Sequence, residues 1–122
     1  MTSAAFDVQS EELDGQVRVL AVRGELDMGT APELDAQLEA VPASDAFVLV
    51  DLSDCEFIDS TGIALIVRAW QRLDRDAGGE GRGKLVLCCD NHQVLRLLKI
   101  TGVESSISMH GRREDALTEL RS

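Results

Sequence analysis

Aromatic residues are scarce in this chain of 122 residues, which has three phenylalanines, one tryptophan and no tyrosine. The hydrophobic core must therefore be aliphatic, and the shortage of aromatic rings argues against a platform that stacks nucleic-acid bases. Basic residues are also outnumbered, because 12 Lys and Arg face 22 Asp and Glu and leave a formal net charge of −10. Since a phosphate backbone binds to a basic surface, this balance argues against nucleic acid as a partner.

The chain also lacks long apolar runs and a secretion signal. No stretch reaches the ~20 apolar residues of a membrane span. Residues 1–6 do not combine a basic region with an apolar one, so no signal peptide is predicted. We therefore expect a cytoplasmic protein with no membrane partner.

The three cysteines, Cys55, Cys88 and Cys89, form no CxxC motif and cannot all pair with one another. They do not resemble a disulfide framework, and reduced thiols fit a cytoplasmic protein. Together with the two histidines they lack the close pair spacing of a zinc site, so no metal is expected. The sequence leaves open whether these thiols are buried strand residues or respond to oxidants.

Strand-like and helix-like segments alternate along the chain. Short apolar runs predict strands over residues 6–10, 17–22, 47–52, 84–88 and 107–109. Helical periodicity predicts helices that begin near residues 31, 60, 91 and 114. Thr30 and Glu33 form a T-x-x-E pattern, which predicts a capping box at the start of the first helix. The order β-β-α-β-α-β-α-β-α favours parallel strand pairing through helical crossovers.

A glycine-rich segment, residues 78–84, matches the G-x-x-x-x-G-K pattern of a phosphate-binding loop. The next residue is Leu85, where such a loop needs Ser or Thr for its magnesium ion. The context is also reversed, since this segment follows a predicted helix and precedes a predicted strand. We interpret it as a solvated connection inside the domain.

Ser60 invites comparison with the nucleophile of a hydrolase. The elbow motif requires glycine two residues before and two residues after the serine, but position 58 is Ile58. The only histidines are His92 and His110, and nothing in the sequence brings either to the serine. A hydrolase is therefore the weaker reading, and an assay with generic esters would test it.

The segment DSTG, residues 59–62, lies where a strand gives way to a helix. A helix N-terminus has unpaired N–H groups and about half a positive charge, which suits an anion such as a phosphate. Asp, Ser and Thr are also preferred N-cap residues, so the segment can be structural. The two readings are compatible, because a hydroxyl at a surface turn is accessible to a kinase.

Residues 51–62, DLSDCEFIDSTG, resemble the signature of the STAS domain of anti-sigma factor antagonists. Three further segments match that family in order: GELD at residues 24–27, LVLCC at 85–89 and VLRLLKITGV at 94–103. The resemblance extends over roughly residues 6–120. We therefore predict a single STAS domain over residues 1–122, of the α/β class. It should have a mixed sheet of about five strands with helices packed mainly on one face.

The resemblance implies a partner-binding protein rather than an enzyme, with no cofactor of its own. Members of this family bind an anti-sigma factor and so free a sigma factor for transcription. The anti-sigma factor is commonly a serine kinase that phosphorylates the serine of the motif, and a protein phosphatase reverses the modification. In this sequence the resemblance implies that Ser60 is the serine that accepts the phosphoryl group. It also implies that Ser60 belongs to the partner-binding surface together with Asp27, Asp59, Thr61 and Gly62.

One expectation follows from the place of Gly62 in that assignment. The absence of a Cβ at Gly62 should let a partner approach closely, so Gly62→Val should weaken binding more than it lowers stability.

The alternative to the switched antagonist is a STAS module that is not phosphorylated and that acts in another signalling complex. The hydroxyls of Ser60 and Thr61 favour the switch, because a module that is not switched needs no hydroxyl there.

Overall fold

Strands and helices alternate in the structure in the order that the sequence predicts. The structure, a computed structural model, describes residues 5–13, 17–41, 47–76 and 84–121. Its elements are β1 (Asp7–Leu13), β2 (Val17–Leu26), α1 (Ala31–Glu39), β3 (Phe47–Ile58), α2 (Ser60–Asp76), β4 (Lys84–Cys88), α3 (His92–Ile100), a one-turn 3-10 helix (Val103–Ser105), β5 (Met109–His110) and α4 (Arg113–Arg121). The predicted glycine-rich loop, residues 78–83, lies outside the described residues.

The five strands form one sheet in the order β1-β2-β3-β4-β5. β1 pairs with β2 in the antiparallel direction, whereas β2 with β3, β3 with β4 and β4 with β5 are parallel. Helices connect the parallel strands, as crossovers between parallel neighbours require. The predicted α/β class and mixed five-stranded sheet are therefore confirmed.

The helices cover the two faces of the sheet unequally. On one face α1, α2 and α3 pack over the larger core, which includes Leu34, Ile66 and Leu98. On the other face α4 packs Ala116 and Leu120 into a smaller cluster. The prediction that helices lie mainly on one face is thus confirmed. No aromatic residue is among the fully buried core of the described segments, as the composition required.

Strand β3 is longer than its apolar run predicted. The run ends at Leu52, but the strand continues to Ile58, with the Asp54 and Glu56 side chains exposed and those of Cys55 and Ile58 buried. The continuation was not predicted because charged residues interrupt the apolar run. As a result, only Asp59 separates the end of β3 from the start of α2.

An ion pair between a buried carboxylate and a partly exposed arginine ties α4 to the sheet. Asp51 on β3 is 8% exposed, and its Oδ2 accepts hydrogen bonds from Arg113 Nε at 3.0 Å and Nη2 at 2.8 Å. Burial alone would raise the pKa of the Asp51 carboxyl, but hydrogen bonds from the Ser53 backbone and from Arg113 outweigh it and lower the pKa. Asp51 therefore stays ionised and holds the first residue of α4.

A second polar contact lies near the other end of α4. Glu119 meets Lys84 Nζ at 2.8 Å and His110 Nε2 at 2.6 Å. Partial burial alone would raise the pKa of the Glu119 carboxyl, but hydrogen bonds from Lys84, His110 and Ser108 outweigh it and lower the pKa to about 2. The contact thus stabilises the fold only while Glu119 is ionised.

We expect Glu119→Gln to destabilise the protein by about 1 kcal/mol at pH 7, since its partners are partly exposed to solvent. A depressed pKa contributes stability above the unfolded-state value and loses it as pH falls through the folded-state value. The difference in unfolding free energy between wild type and variant should therefore shrink from pH 4.5 to pH 2. Urea titrations across that range measure it. Glu114→Gln is the control, because the Glu114–Arg112 pair is largely exposed. An equal difference at pH 7 and pH 2 would contradict the assignment.

Candidate functional site

The site forms where β2 and β3 end side by side. Leu26 and Ile58 are paired in the parallel ladder as the last residues of the two strands. Asp59 N donates a hydrogen bond to Leu26 O at 3.2 Å, which extends the pairing by one step. Asp27 and Asp59 therefore follow neighbouring strand ends, at the carboxyl edge where open α/β sheets present their functional residues.

Asp27 organises the turn that leads from β2 into α1. Its Oδ1 accepts hydrogen bonds from Gly29 N at 2.9 Å and from Thr30 N at 3.1 Å. Thr30 Oγ1 donates to Glu25 O at 2.7 Å and accepts from Asp27 N at 2.9 Å. The predicted capping box is therefore wrong, because the Thr30 hydroxyl closes the preceding turn and makes no cap hydrogen bond to the helix.

Asp59 is the residue that caps α2. Its Oδ1 accepts a hydrogen bond from Gly62 N at 3.0 Å, and its carbonyl accepts one from Ile63 N at 3.1 Å. Ser60 and Thr61 are exposed, and neither hydroxyl has a hydrogen-bond partner among the described residues. Of the three candidate cap residues, one does the capping and two present free hydroxyls to solvent.

Gly62 has a role inside the protein rather than at its surface. The residue is buried, and a Cβ built on it would lie 2.8 Å from Leu26 Cγ and 3.0 Å from Ile58 Cγ1. The absent side chain therefore allows α2 to start directly against the ends of β2 and β3. The expectation that Gly62 leaves space for a partner is wrong, because that space is filled by Leu26 and Ile58.

The electrostatic surroundings of Ser60 combine opposing effects. Ser60 is the first residue of a helix of 17 residues, whose N-terminal N–H groups favour an anion. The first turn of α2 contains no acidic residue, but Asp59 directly precedes it and Asp27 follows the neighbouring strand end. The Ser60 hydroxyl is exposed, and the N-terminus of α2 would offset part of the charge of an anion at this position.

Hydrolase chemistry has little support in this geometry. Neither histidine forms a hydrogen bond with Ser60, and the His110 ring contacts Glu119 at 2.6 Å on α4. A nucleophilic serine needs a base within hydrogen-bond reach. Within the part of the chain that the structure describes, no group of three or more His, Cys, Asp or Glu residues is placed to hold a metal ion. Nor is any helix there long and apolar enough to cross a membrane.

The three cysteines are all buried, free thiols. Burial raises the pKa of the Cys55 and Cys88 thiols to about 11 and also raises that of Cys89. A protonated thiol is a poor nucleophile and a poor target for oxidants. Of the two roles that the sequence left open, the structure favours buried residues, with Cys55 in β3, Cys88 in β4 and Cys89 directly after β4.

Two exposed apolar side chains near the site, Met28 and Phe57, were not predicted from the sequence. Met28 is 74% exposed in the turn after Asp27, and Phe57 is 44% exposed one residue before the end of β3. The signal for Met28 was a large apolar residue between Asp27 and Gly29, where a turn favours small polar residues. Both flank the segments that contain Asp27 and Ser60.

Comparisons with known proteins place these features in a family. The STAS domain model matches residues 8–116. The anti-sigma-B factor antagonist of Listeria monocytogenes is 30% identical over 105 residues, which cover 85% of this chain and 88% of that protein. The crystal structure of an anti-sigma factor antagonist from Mycobacterium paratuberculosis superposes with a TM-score of 0.86 at 30% identity, covering 99% of this chain and 100% of that one.

A third comparison concerns the fold alone. The phosphorylated form of the Bacillus cell fate determinant SpoIIAA superposes with a TM-score of 0.68 at 20% identity, covering 94% of this chain and 100% of that one. That protein therefore has the same architecture while it carries a phosphate. The family model covers most of the chain, the relative from Listeria aligns over nearly its whole length, and the predicted signature lies at the junction of β3 and α2. The chain belongs to the STAS domain family.

Proposed function

We propose that this protein is an anti-sigma factor antagonist, which binds an anti-sigma factor and thereby releases a sigma factor for transcription. The observation that carries the proposal is the exposed hydroxyl of Ser60, which lies at the start of α2, beside the Asp59 cap, and has no hydrogen-bond partner among the described residues. The similarity of the whole chain to the antagonists of Listeria and Mycobacterium supports the same role. Asp27, Asp59, Ser60 and Thr61 form the partner-binding surface, with Gly62 positioning them from beneath.

Phosphorylation of Ser60 switches the protein off in this proposal. The anti-sigma factor acts as the serine kinase and supplies ATP, so this chain is a substrate and needs no cofactor. The γ-phosphoryl group of ATP is transferred to Ser60 Oγ, the hydroxyl proton is lost, and ADP leaves. A protein phosphatase hydrolyses the phosphoserine and restores binding. All these partners act in the cytoplasm, where transcription takes place.

We expect phosphate to appear on Ser60 when the protein is incubated with ATP and its cognate kinase. The probes are the purified anti-sigma factors of the serine-kinase class that the source genome encodes. Ser60→Ala should abolish incorporation, whereas Thr61→Ala, the matched neighbour, should leave the site of phosphate unchanged. Phosphopeptide mass spectrometry assigns the residue.

The outcomes of that experiment and of binding titrations with the same anti-sigma factors test different parts of the proposal. Phosphate on Thr61 would show that the acceptor is misassigned. Tight binding of an anti-sigma factor without phosphorylation would favour the alternative, an interaction module that is not switched. Absence of binding to every anti-sigma factor tested would overturn the proposed function itself.

A further inference from the structure

A groove between α1 and α2 opens beside Thr61, the neighbour of Ser60. Its first part has a volume of about 180 Å³. The residues that line it are mainly apolar and come from the turn after β2, from α1 and from α2: Met28, Ala31, Pro32, Asp35, Thr61, Leu65 and Arg68. A second hollow shares Asp35 and Arg68 with the first and continues along the two helices to Arg72. The groove is thus continuous with the surface that contains the proposed phosphorylation site.

Met28 forms an apolar rim at the end of the groove nearest to the switch. It is the most exposed of the large hydrophobic side chains in the described segments, at 74%. The turn that bears it is ordered, because Asp27 Oδ1 accepts hydrogen bonds from both Gly29 N and Thr30 N. The exposure of Met28 is therefore imposed by the turn, and a partner that covers the side chain gains hydrophobic free energy.

Arg68 provides a free cation further along the groove. The side chain has no hydrogen bond or ion pair with any described residue, although Asp35 lines the same groove. Arg72, one turn later, differs because its Nη2 donates to Leu38 O at 2.8 Å. Thr61, Leu65 and Arg68 follow the i, i+4, i+7 spacing that puts residues on one face of a helix. Along the groove, the hydroxyl of Thr61 is therefore followed by the apolar side chain of Leu65 and then by the guanidinium group of Arg68.

We propose that this groove receives a segment of the anti-sigma factor that places an apolar side chain against Met28 and Leu65 and a carboxylate against Arg68. The inference rests on the proposed function and names the chemistry of the partner at the same surface. A carboxylate is the group that the planar guanidinium binds with two parallel hydrogen bonds. Met28 and Arg68 lie outside the signature motifs, so in this proposal they determine the specificity of the protein for one anti-sigma factor over another.

The test is calorimetric titration of the unphosphorylated protein with the anti-sigma factor that binds the wild type. Met28→Ala should weaken binding about fivefold or more, and Arg68→Glu about tenfold or more, because like charges at an interface repel. Ile100→Ala and Arg96→Glu are the matched controls, since Ile100 is 72% exposed and Arg96 is an exposed cation, both on α3. Both controls should bind within about twofold of wild type.

The replaced side chains are exposed, so all four variants should melt near the wild-type temperature in circular dichroism. Arg68→Gln, which removes the charge without reversing it, should give an intermediate loss of affinity. Charge reversal of one acidic residue in the partner should restore binding to Arg68→Glu.

The outcomes distinguish this inference from the function on which it rests. Suppose that Ser60 phosphorylation abolishes binding, but that Met28→Ala and Arg68→Glu leave it unchanged. This result would overturn the proposed role of the groove and would agree with the proposed function. Tighter binding of Arg68→Glu would show that a basic segment of the partner pairs with Asp35, and would overturn the proposal that a carboxylate of the partner binds Arg68. Failure of the wild type to bind any anti-sigma factor would overturn both.

Discussion

Phosphorylation of Ser60 is expected to weaken binding to the anti-sigma factor about tenfold or more and to leave the domain folded. The phosphate adds about −1.5 to −2 charges near pH 7. At the first residue of α2 the helix dipole favours an anion by about 0.3–1 kcal/mol. Asp59, the nearby Asp27 and the net charge of −10 oppose it. These effects roughly offset one another, so the free energy of unfolding should change little.

At the partner interface the same phosphate has a different effect. Burying a doubly charged group without matching cations costs several kcal/mol, and every 1.4 kcal/mol is about tenfold in affinity. The native hydroxyl has no hydrogen-bond partner among the described residues, so phosphorylation breaks no internal contact that the structure shows. The loss should therefore appear in binding and not in stability.

The measurement pairs circular dichroism melts with calorimetric titrations on protein that carries phosphoserine at position 60 and on unmodified protein. Ser60→Asp should reproduce the effect only in part, because it adds one charge and fewer oxygens. Ser105→Asp is the control, since Ser105 is an exposed serine in the 3-10 helix after α3. Unfolding on phosphorylation, or unchanged affinity, would contradict the mechanism.

Gly62→Val is expected to destabilise the protein by about 3 kcal/mol, which corresponds to a fall in melting temperature of roughly 10 °C. The first added carbon would lie 2.8 Å from Leu26 Cγ and 3.0 Å from Ile58 Cγ1, so one of these two core side chains would have to shift. Gly62→Ala adds only that first carbon. It should still destabilise by about 1 kcal/mol, even though alanine favours a helix by a similar amount.

Gly111→Ala provides the matched control for these variants. A Cβ at Gly111 would meet nothing within 4 Å, and its φ is not positive. Its free energy of unfolding should stay within about 0.5 kcal/mol of the wild-type value in urea titrations. Wild-type stability of Gly62→Val, together with weakened binding, would instead support a surface role for this glycine.

The prediction of the fold succeeded where the sequence pattern is periodic and local. The apolar run of β4 lies where it was predicted. Gly102, shortly after α3, has a positive φ of 79°, which a glycine that follows a helix commonly adopts. The ends of β3 and of β5 were less well predicted. Asp54 and Glu56 point to solvent within β3, and β5 has only two residues, too few to establish a period.

The candidate site was located by its motif, but its internal assignments were not. DSTG indicated a helix start, and the helix begins at Ser60. Three neighbouring residues can all cap a helix, and only the conformation of the turn selects Asp59. The same applies to Thr30, whose hydroxyl is used by the turn before the helix rather than by the helix. The site residues of the partner surface remain predictions until the binding and phosphorylation experiments are made.

The class of fold, the aliphatic core and the segment that presents the serine could all be predicted, because these depend on composition and on residues adjacent in the chain. The role of each of those residues depends on contacts between segments that are distant in the chain. Leu26 and Gly62 are 36 positions apart, and only the parallel pairing of β2 with β3 brings the leucine against the glycine. The groove that contains Met28 and Arg68 likewise exists only because α1 and α2 pack side by side on one face of the sheet.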